Sequence, residues 1–267
     1  MEAKNEVLEI AESCRPTVVS VGIGSDDMTD ATCASLALIP SLRELTISGA
    51  NDETLKKLQP LRRLEKLTLD RAKIDHELAG YLREFDGLSE LTLSYGRYDR
   101  AVFENIGSLA SVRTIKFWCW FEGLQDSDVL HILELPNLES LAVTNSKITS
   151  EVVDAIAKCH SLKSLNLQGT EIGGKDLRAL SALGNLESLW LDNVNDDQIQ
   201  HLAASFPNLS RFSTRSPLTD KALPAISQLK ELEYLSITAC DITVSETDVE
   251  NQLPSLKYVF LSRATPR

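Results

Sequence analysis

The sequence predicts an α/β solenoid, a stack of strand–helix units forming one elongated domain. Three observations predict it. Leucine is 42 of the 267 residues, an excess that demands a search for regular spacing. A frame L-x-x-L-x-L, with Val, Ile or Phe admitted for Leu, opens at Val18, Leu42, Leu64, Leu88, Val112, Leu138, Leu162, Leu186, Leu209, Leu232 and Leu256, at intervals of 22 to 26 residues. Proline stands two residues before five of these frames, at Pro16, Pro40, Pro136, Pro207 and Pro254. There it cannot continue a helix and it favours extended chain before it.

Each element of the unit follows from local pattern. Alternation within L-x-L is the period of a strand with one buried face. Leu162-x-x-Leu165-x-Leu167 and Leu186-x-x-Leu189-x-Leu191 are clear copies. The fifth copy uses Val112, Ile115 and Phe117, and in the ninth Thr214 takes the third apolar slot. A small residue follows most strands: Ala50, Ala72, Ser146, Thr170, Cys240. A triplet such as Met28-Thr29-Asp30, Ile148-Thr149-Ser150 or Leu218-Thr219-Asp220 comes next, and Asp30, Ser150 and Asp220 sit where a helix N-cap is expected. Apolar residues then recur at three–four spacing, as in Leu177, Leu180, Leu183, which is a short helix with one buried stripe. A unit of this length cannot bury its own apolar face, whereas stacked copies can.

These eleven in-phase frames resemble the leucine-rich repeat family over residues 18–261. The T-x-I-T-D-x-x-L flavour is similar to the roughly 24-residue class of bacterial and F-box-associated repeat proteins. The resemblance implies a horseshoe, with about eleven parallel strands on the concave face and short helices on the convex face. It implies binding in general and no particular ligand. Residues 1–17 read as the helical half of an earlier repeat, with Val7, Ile10 and Cys14 as its apolar positions, and 262–267 as a C-terminal tail.

Composition narrows the function. The net charge of −12 disfavours nonspecific binding to nucleic acid or anionic membrane, since phosphates repel it. No apolar run suggests a membrane span. The N-terminus lacks a signal pattern, and five scattered cysteines imply no disulfide framework. The expected location is therefore cytoplasmic, with effector secretion left open. Catalysis needs a constellation, and none is legible. The four histidines are strung along separate repeats. Gly80 stands where a second zinc histidine would follow His76-Glu77. Cys33, Cys159 and Cys240 match core slots, while Cys119 falls at an outward position. The runs Asp126-Ser127-Asp128 and Asn195-Asp196-Asp197 lie at helix starts, where capping and the helix dipole explain them better than a metal. No metal, cofactor or small-molecule substrate is expected.

The variable positions of the frame project from the strand face away from the helices. The first of them alternates in sign along Arg113, Glu139, Lys163, Glu187, and again at Arg43, Glu65 and at Glu233, Lys257. This pattern predicts a structural charge ladder. Over all variable positions the face carries ten basic and eight acidic residues, so the acidity belongs to the other surfaces. The same positions hold aromatics that a solvated sheet does not need. One cluster is Tyr95, Lys116 and Trp118, joined by Arg97, Tyr98, Trp120 and Phe121 from the following loops. A second is Arg211, Arg215, Tyr234, Tyr258 and Phe260, and Trp190 stands alone between them in sequence. Exposed aromatics are typical interface anchors. The expectation is a non-enzymatic scaffold that binds a protein partner on this face. Two other readings stay open: the substrate-recognition module of a larger enzyme assembly, such as a ubiquitin-ligase adaptor or bacterial effector, and a structural or self-associating repeat protein.

Overall fold

The computed structural model describes residues 19–75, 78–104, 106–118 and 123–263. These residues form two compact units, 19–118 with 130–138, and 123–129 with 139–263. The first unit contains β1 (Ser20–Gly24), β2 (Glu44–Ser48), β3 (Lys66–Asp70), β4 (Lys73–Ile74), β5 (Glu90–Ser94), β6 (Arg97–Tyr98) and β7 (Thr114–Trp118). Its main sheet runs β1-β2-β3-β5-β7, and the two-residue β4 and β6 pair beside it. The second unit contains β8 (Ser140–Thr144), β9 (Ser164–Asn166), β10 (Ser188–Trp190), β11 (Arg211–Arg215), β12 (Tyr234–Cys240) and β13 (Tyr258–Arg263), paired in that order. Neighbouring strands in each unit run parallel. Each frame thus supplies one strand to the sheet of its own unit. The residues before Val19, including Val18, Cys14, Ile10 and Val7, lie outside the described residues, as do His76, Glu77, Cys119, Trp120 and Phe121.

Register repeats from strand to strand. Leu45 pairs with Leu67, Leu67 with Leu91 and Leu91 with Ile115. In the second unit Leu165 pairs with Leu189 and Leu189 with Phe212. Each of these side chains is at most 1% exposed. The period-two pattern therefore stacks like on like into a continuous apolar column, which is the solution a unit too small for its own core requires. Thr214, in the third apolar slot of its frame, is also fully buried. Its hydroxyl lies 2.6 Å from the Ser216 hydroxyl, whose oxygen accepts the Val194 N–H at 2.9 Å. The buried polar group is satisfied, so it is tolerated.

The helices are short: α1 (Asp30–Ala37), α2 (Asp52–Lys56), α3 (Leu78–Leu82), α4 (Asp126–Ile132), α5 (Val153–Ala157), α6 (Leu177–Leu180), α7 (Asp196–Ser205), α8 (Leu223–Ile226) and α9 (Glu246–Gln252). Their starts correct the expected capping. The caps are Thr29 on α1, and Thr149 and Thr219 on the 3-10 turns that lead into α5 and α8, each one residue before Asp30, Ser150 and Asp220. Each threonine hydroxyl accepts a backbone N–H of the first turn, from Thr32, Glu151 and Lys221. Asp220, and Asp126 and Asp196 at the starts of α4 and α7, reach the next repeat instead. Asp126 accepts the N–H and hydroxyl of Thr149 at 2.8 and 2.7 Å. Asp196 accepts those of Thr219 at 2.9 and 2.7 Å. Asp220 accepts the N–H of Thr243 at 2.8 Å and its hydroxyl as well. Thr149 and Thr219 are therefore relays: each caps its own turn and holds the carboxylate of the repeat before.

Two consequences are measurable. Hydrogen bonds to charged groups contribute roughly 1.5–3 kcal/mol each way of counting. Asp196→Ala should thus destabilise the protein by about 2 kcal/mol, seen as a lower urea midpoint, while Asp197→Ala, which lacks such contacts among the described hydrogen bonds, should not. The second consequence concerns acid. Hydrogen bonds from Thr243 hold the Asp220 carboxyl below its ordinary pKa of 3.8. A depressed carboxylate contributes stability above its unfolded pKa and loses it as pH falls through the folded value. The Tm deficit of Asp220→Ala relative to wild type should therefore be constant near neutrality and narrow below about pH 3.8.

Candidate functional site

The face of the sheet opposite the buried columns is built from the third, fifth and seventh positions of each frame and from the residue after the strand. That last residue has a recurring conformation. Gly49, Arg71, Tyr95, Asn145, Gly169, Asn193 and Ala239 all have positive φ, the region glycine enters without strain and asparagine tolerates. It bends the chain at the eighth position of these seven frames.

In the first unit this turn displays an aromatic pair. Tyr95, at φ 54°, donates its N–H to the Trp118 carbonyl at 2.8 Å. Both side chains are exposed, 46% and 39%. A bulky residue in the left-handed region costs roughly 1–2 kcal/mol, so Tyr95 is held against its backbone preference. Tyr95→Gly should raise stability by about 1 kcal/mol, read as a higher urea midpoint, and weaken any partner that uses the ring. The rest of the expected cluster is disposed differently. The Lys116 ammonium lies 2.5 Å from the Glu90 carboxylate. Tyr98 is half-buried, and its hydroxyl donates to the Leu69 carbonyl at 3.3 Å. Arg97 is exposed on β6. Trp120 lies outside the described residues.

The second unit brings together all the remaining expected residues. Arg211, Tyr234 and Tyr258 fall in register across β11, β12 and β13. The two tyrosine rings stack with centroids 4.7 Å apart and planes 6° from parallel. The next row runs Trp190, Ser213, Ser236, Phe260 across β10 to β13. Ser213 and Ser236 are 7% and 8% exposed, and Phe260 is 43% exposed. Two small residues between two large rings make a slot with a serine floor. At a strand spacing of ~4.8 Å its walls stand ~14 Å apart at the backbone. Arg215 closes the far end of β11, and its N–H donates to Asp192 Oδ1 at 2.9 Å. Asp192 also accepts the Gly169 N–H at 3.0 Å and the Gln168 amide at 3.3 Å. Its carboxylate is thereby occupied within the sheet. Among the described residues no carboxylate lies within ion-pair distance of the Arg211 or Arg215 guanidinium.

Sequence reasoning missed one class of residue here, the hydrogen-bonding aspartates of the seventh position. Asp70 accepts from the Ser48 and Ser94 hydroxyls at 3.1 Å each and from Arg71 at 3.0 Å. Asp70 and Asp192 both stand one residue before a positive-φ turn, which was the available signal. The charge ladder is formed at three of its expected steps, and no ion pair joins Lys163 to Glu187 among the described contacts. Arg43 and Glu65 are 3.1 Å apart, Lys163 and Glu139 2.8 Å, Lys257 and Glu233 2.7 Å.

Burial pushes the Cys33 thiol up to about 11 and raises that of Cys159 as well, so both stay protonated and unreactive. Among the described residues no group of three or more His, Cys, Asp or Glu could hold a metal. Among them, too, no helix is long and apolar enough to cross a membrane. What the second unit's open face can do is bury aromatic surface and meet anions.

Parallel strands in constant register, short helices on the buried face and a recurring positive-φ bend at the eighth frame position define a strand–helix repeat solenoid. The chain belongs to the leucine-rich repeat family: the family model described as leucine-rich repeat region matches residues 26–265. Among solved structures, an internalin from Listeria monocytogenes aligns with a TM-score of 0.54 at 16% identity, covering 88% of this chain and 71% of its own. A leucine-rich repeat protein of Leptospira interrogans aligns with a TM-score of 0.52 at 16% identity, covering 97% and 74%. At such identity the likeness is one of fold. A search of curated proteins finds no match.

Proposed function

We propose that this chain is a non-enzymatic scaffold that binds a protein partner on the open face of its sheet, with the slot of the second unit as the principal contact. One observation carries this reading. Tyr95, Trp118, Tyr258 and Phe260 are each more than a third exposed on the open sheet faces of the two units. Large rings left in water cost solvation free energy at roughly 25 cal/mol per Å² of apolar surface, and burial against a partner recovers it. The anchors are Tyr95 and Trp118 in the first unit, and Trp190, Arg211, Arg215, Tyr234, Tyr258 and Phe260 in the second. In each unit these residues lie on an open sheet face rather than in an enclosed cavity, which suits a protein ligand better than a metabolite. The test is affinity capture from native extract with wild type, Trp190→Ala and Tyr234→Ala. Loss of the captured protein with both variants is expected; equal recovery would remove the site.

A further inference from the structure

The slot's charge and spacing say what kind of segment fits it. On β11 the outward residues are Arg211, Ser213 and Arg215. Four residues of strand place the two arginine Cα atoms ~13 Å apart. Between them Ser213 offers almost no side-chain surface, and Trp190 and Tyr234 flank the strand in register, beside Ser213 and Arg211 respectively. The pattern is cation, small serine beside an indole, cation. Asp192 keeps its charge beside Arg215 and Glu187 precedes the register partner of Arg211, while Glu233 is paired with Lys257, so the two arginines act on a ligand at contact range rather than through a net positive field.

We infer that this slot takes an acidic peptide segment in extended conformation, with carboxylates four residues apart facing Arg211 and Arg215 and an apolar side chain between them against Trp190. This deepens the binding function proposed above and rests on it. The matching period is the argument: residues i, i+2 and i+4 of an extended chain share one face and span the same ~13 Å as the two arginines. Arginine forms paired, charge-assisted hydrogen bonds with carboxylates. The chain's net charge of −12 opposes an acidic partner at long range, but beyond ~10 Å that repulsion is largely screened at 0.1 M salt. A carboxylate in contact with an arginine is attracted at short range, where screening is weak.

The experiment is selection of phage-displayed random 12-residue peptides on the wild-type protein, followed by fluorescence anisotropy of the enriched synthetic peptides. Enrichment of peptides with Asp or Glu four apart is expected. Their affinity should fall about 10-fold for Arg211→Ala and for Arg215→Ala, fall with added salt, and be lost in the double Arg→Glu variant. Both arginine side chains are exposed, and the Arg215 N–H to Asp192 survives substitution, so unchanged Tm values will separate lost binding from lost folding. Enrichment without carboxylates, or affinity unchanged in both arginine variants, overturns the inference. If such peptides still lose affinity with Tyr234→Ala, the face binds partners of another chemistry and the proposed function stands. If they do not, or if no peptide is enriched, both readings fall.

Discussion

Phe212→Ala should destabilise the protein by about 3–5 kcal/mol, the range for removing a buried phenylalanine. Phe212 is fully buried in the middle of β11. It occupies the second apolar slot of its frame, where the other ten frames carry Val, Leu or Ile. Its register partners are Leu189 and Leu235, both fully buried as well. Truncation leaves a cavity between two branched aliphatics that cannot swing far, because each is locked into its own column. At roughly 2–4 °C per kcal/mol for a chain of this size, the Tm should fall by about 10 °C. Phe212→Leu, which restores the slot's usual residue, should cost far less. Because repeats couple mainly to their neighbours, the loss should concentrate in amide exchange of β10, β11 and β12. A deficit below about 1 kcal/mol would mean that the column is not packed as described.

Tyr234→Ala should weaken partner binding about 30-fold, equivalent to ~2 kcal/mol. The reasoning begins from the stack. Tyr258 lies parallel to Tyr234 at 4.7 Å, so the two rings form one rigid platform with few rotamers left to freeze on binding. Removing one ring takes away its own contact area and frees the other. Trp190→Ala should produce a loss of the same order from the opposite wall. Leu38 supplies the control. At 62% it is more exposed than any of the aromatics, yet it follows α1 and lies away from the open face. If exposed apolar area alone drove binding, Leu38→Ala would match Tyr234→Ala. The account expects Leu38→Ala to change nothing in a titration by isothermal calorimetry.

The fold was legible because the repeat is written in apolar positions, and burial obeys them almost without exception. Thr214 shows how far that legibility went: an apparent flaw in the frame became a buried hydroxyl satisfied by Ser216. The capping was misplaced by one residue because Thr and Asp are both good caps. Only the neighbouring repeat's threonine, 23 residues away at Thr219 or Thr243, decides that the aspartate reaches across instead. The site was legible in outline, since period two says which residues leave the sheet. Local sequence could not say which of those residues are engaged. Lys116 and Tyr98 looked the same in the sequence as Arg211 and Tyr234, and differ because Glu90 and the Leu69 carbonyl lie within reach. Three-dimensional neighbours set that distinction, and they come from other repeats.

The central claim is that partners dock on the open face of the second unit. Photo-crosslinking addresses it most directly. A benzophenone amino acid placed at Thr238, on β12 beside the slot, is compared with one at Ala204, on the exposed side of α7. With an enriched peptide bound, the account predicts a covalent adduct from position 238 and none from position 204. An adduct from 204 with none from 238 would contradict it.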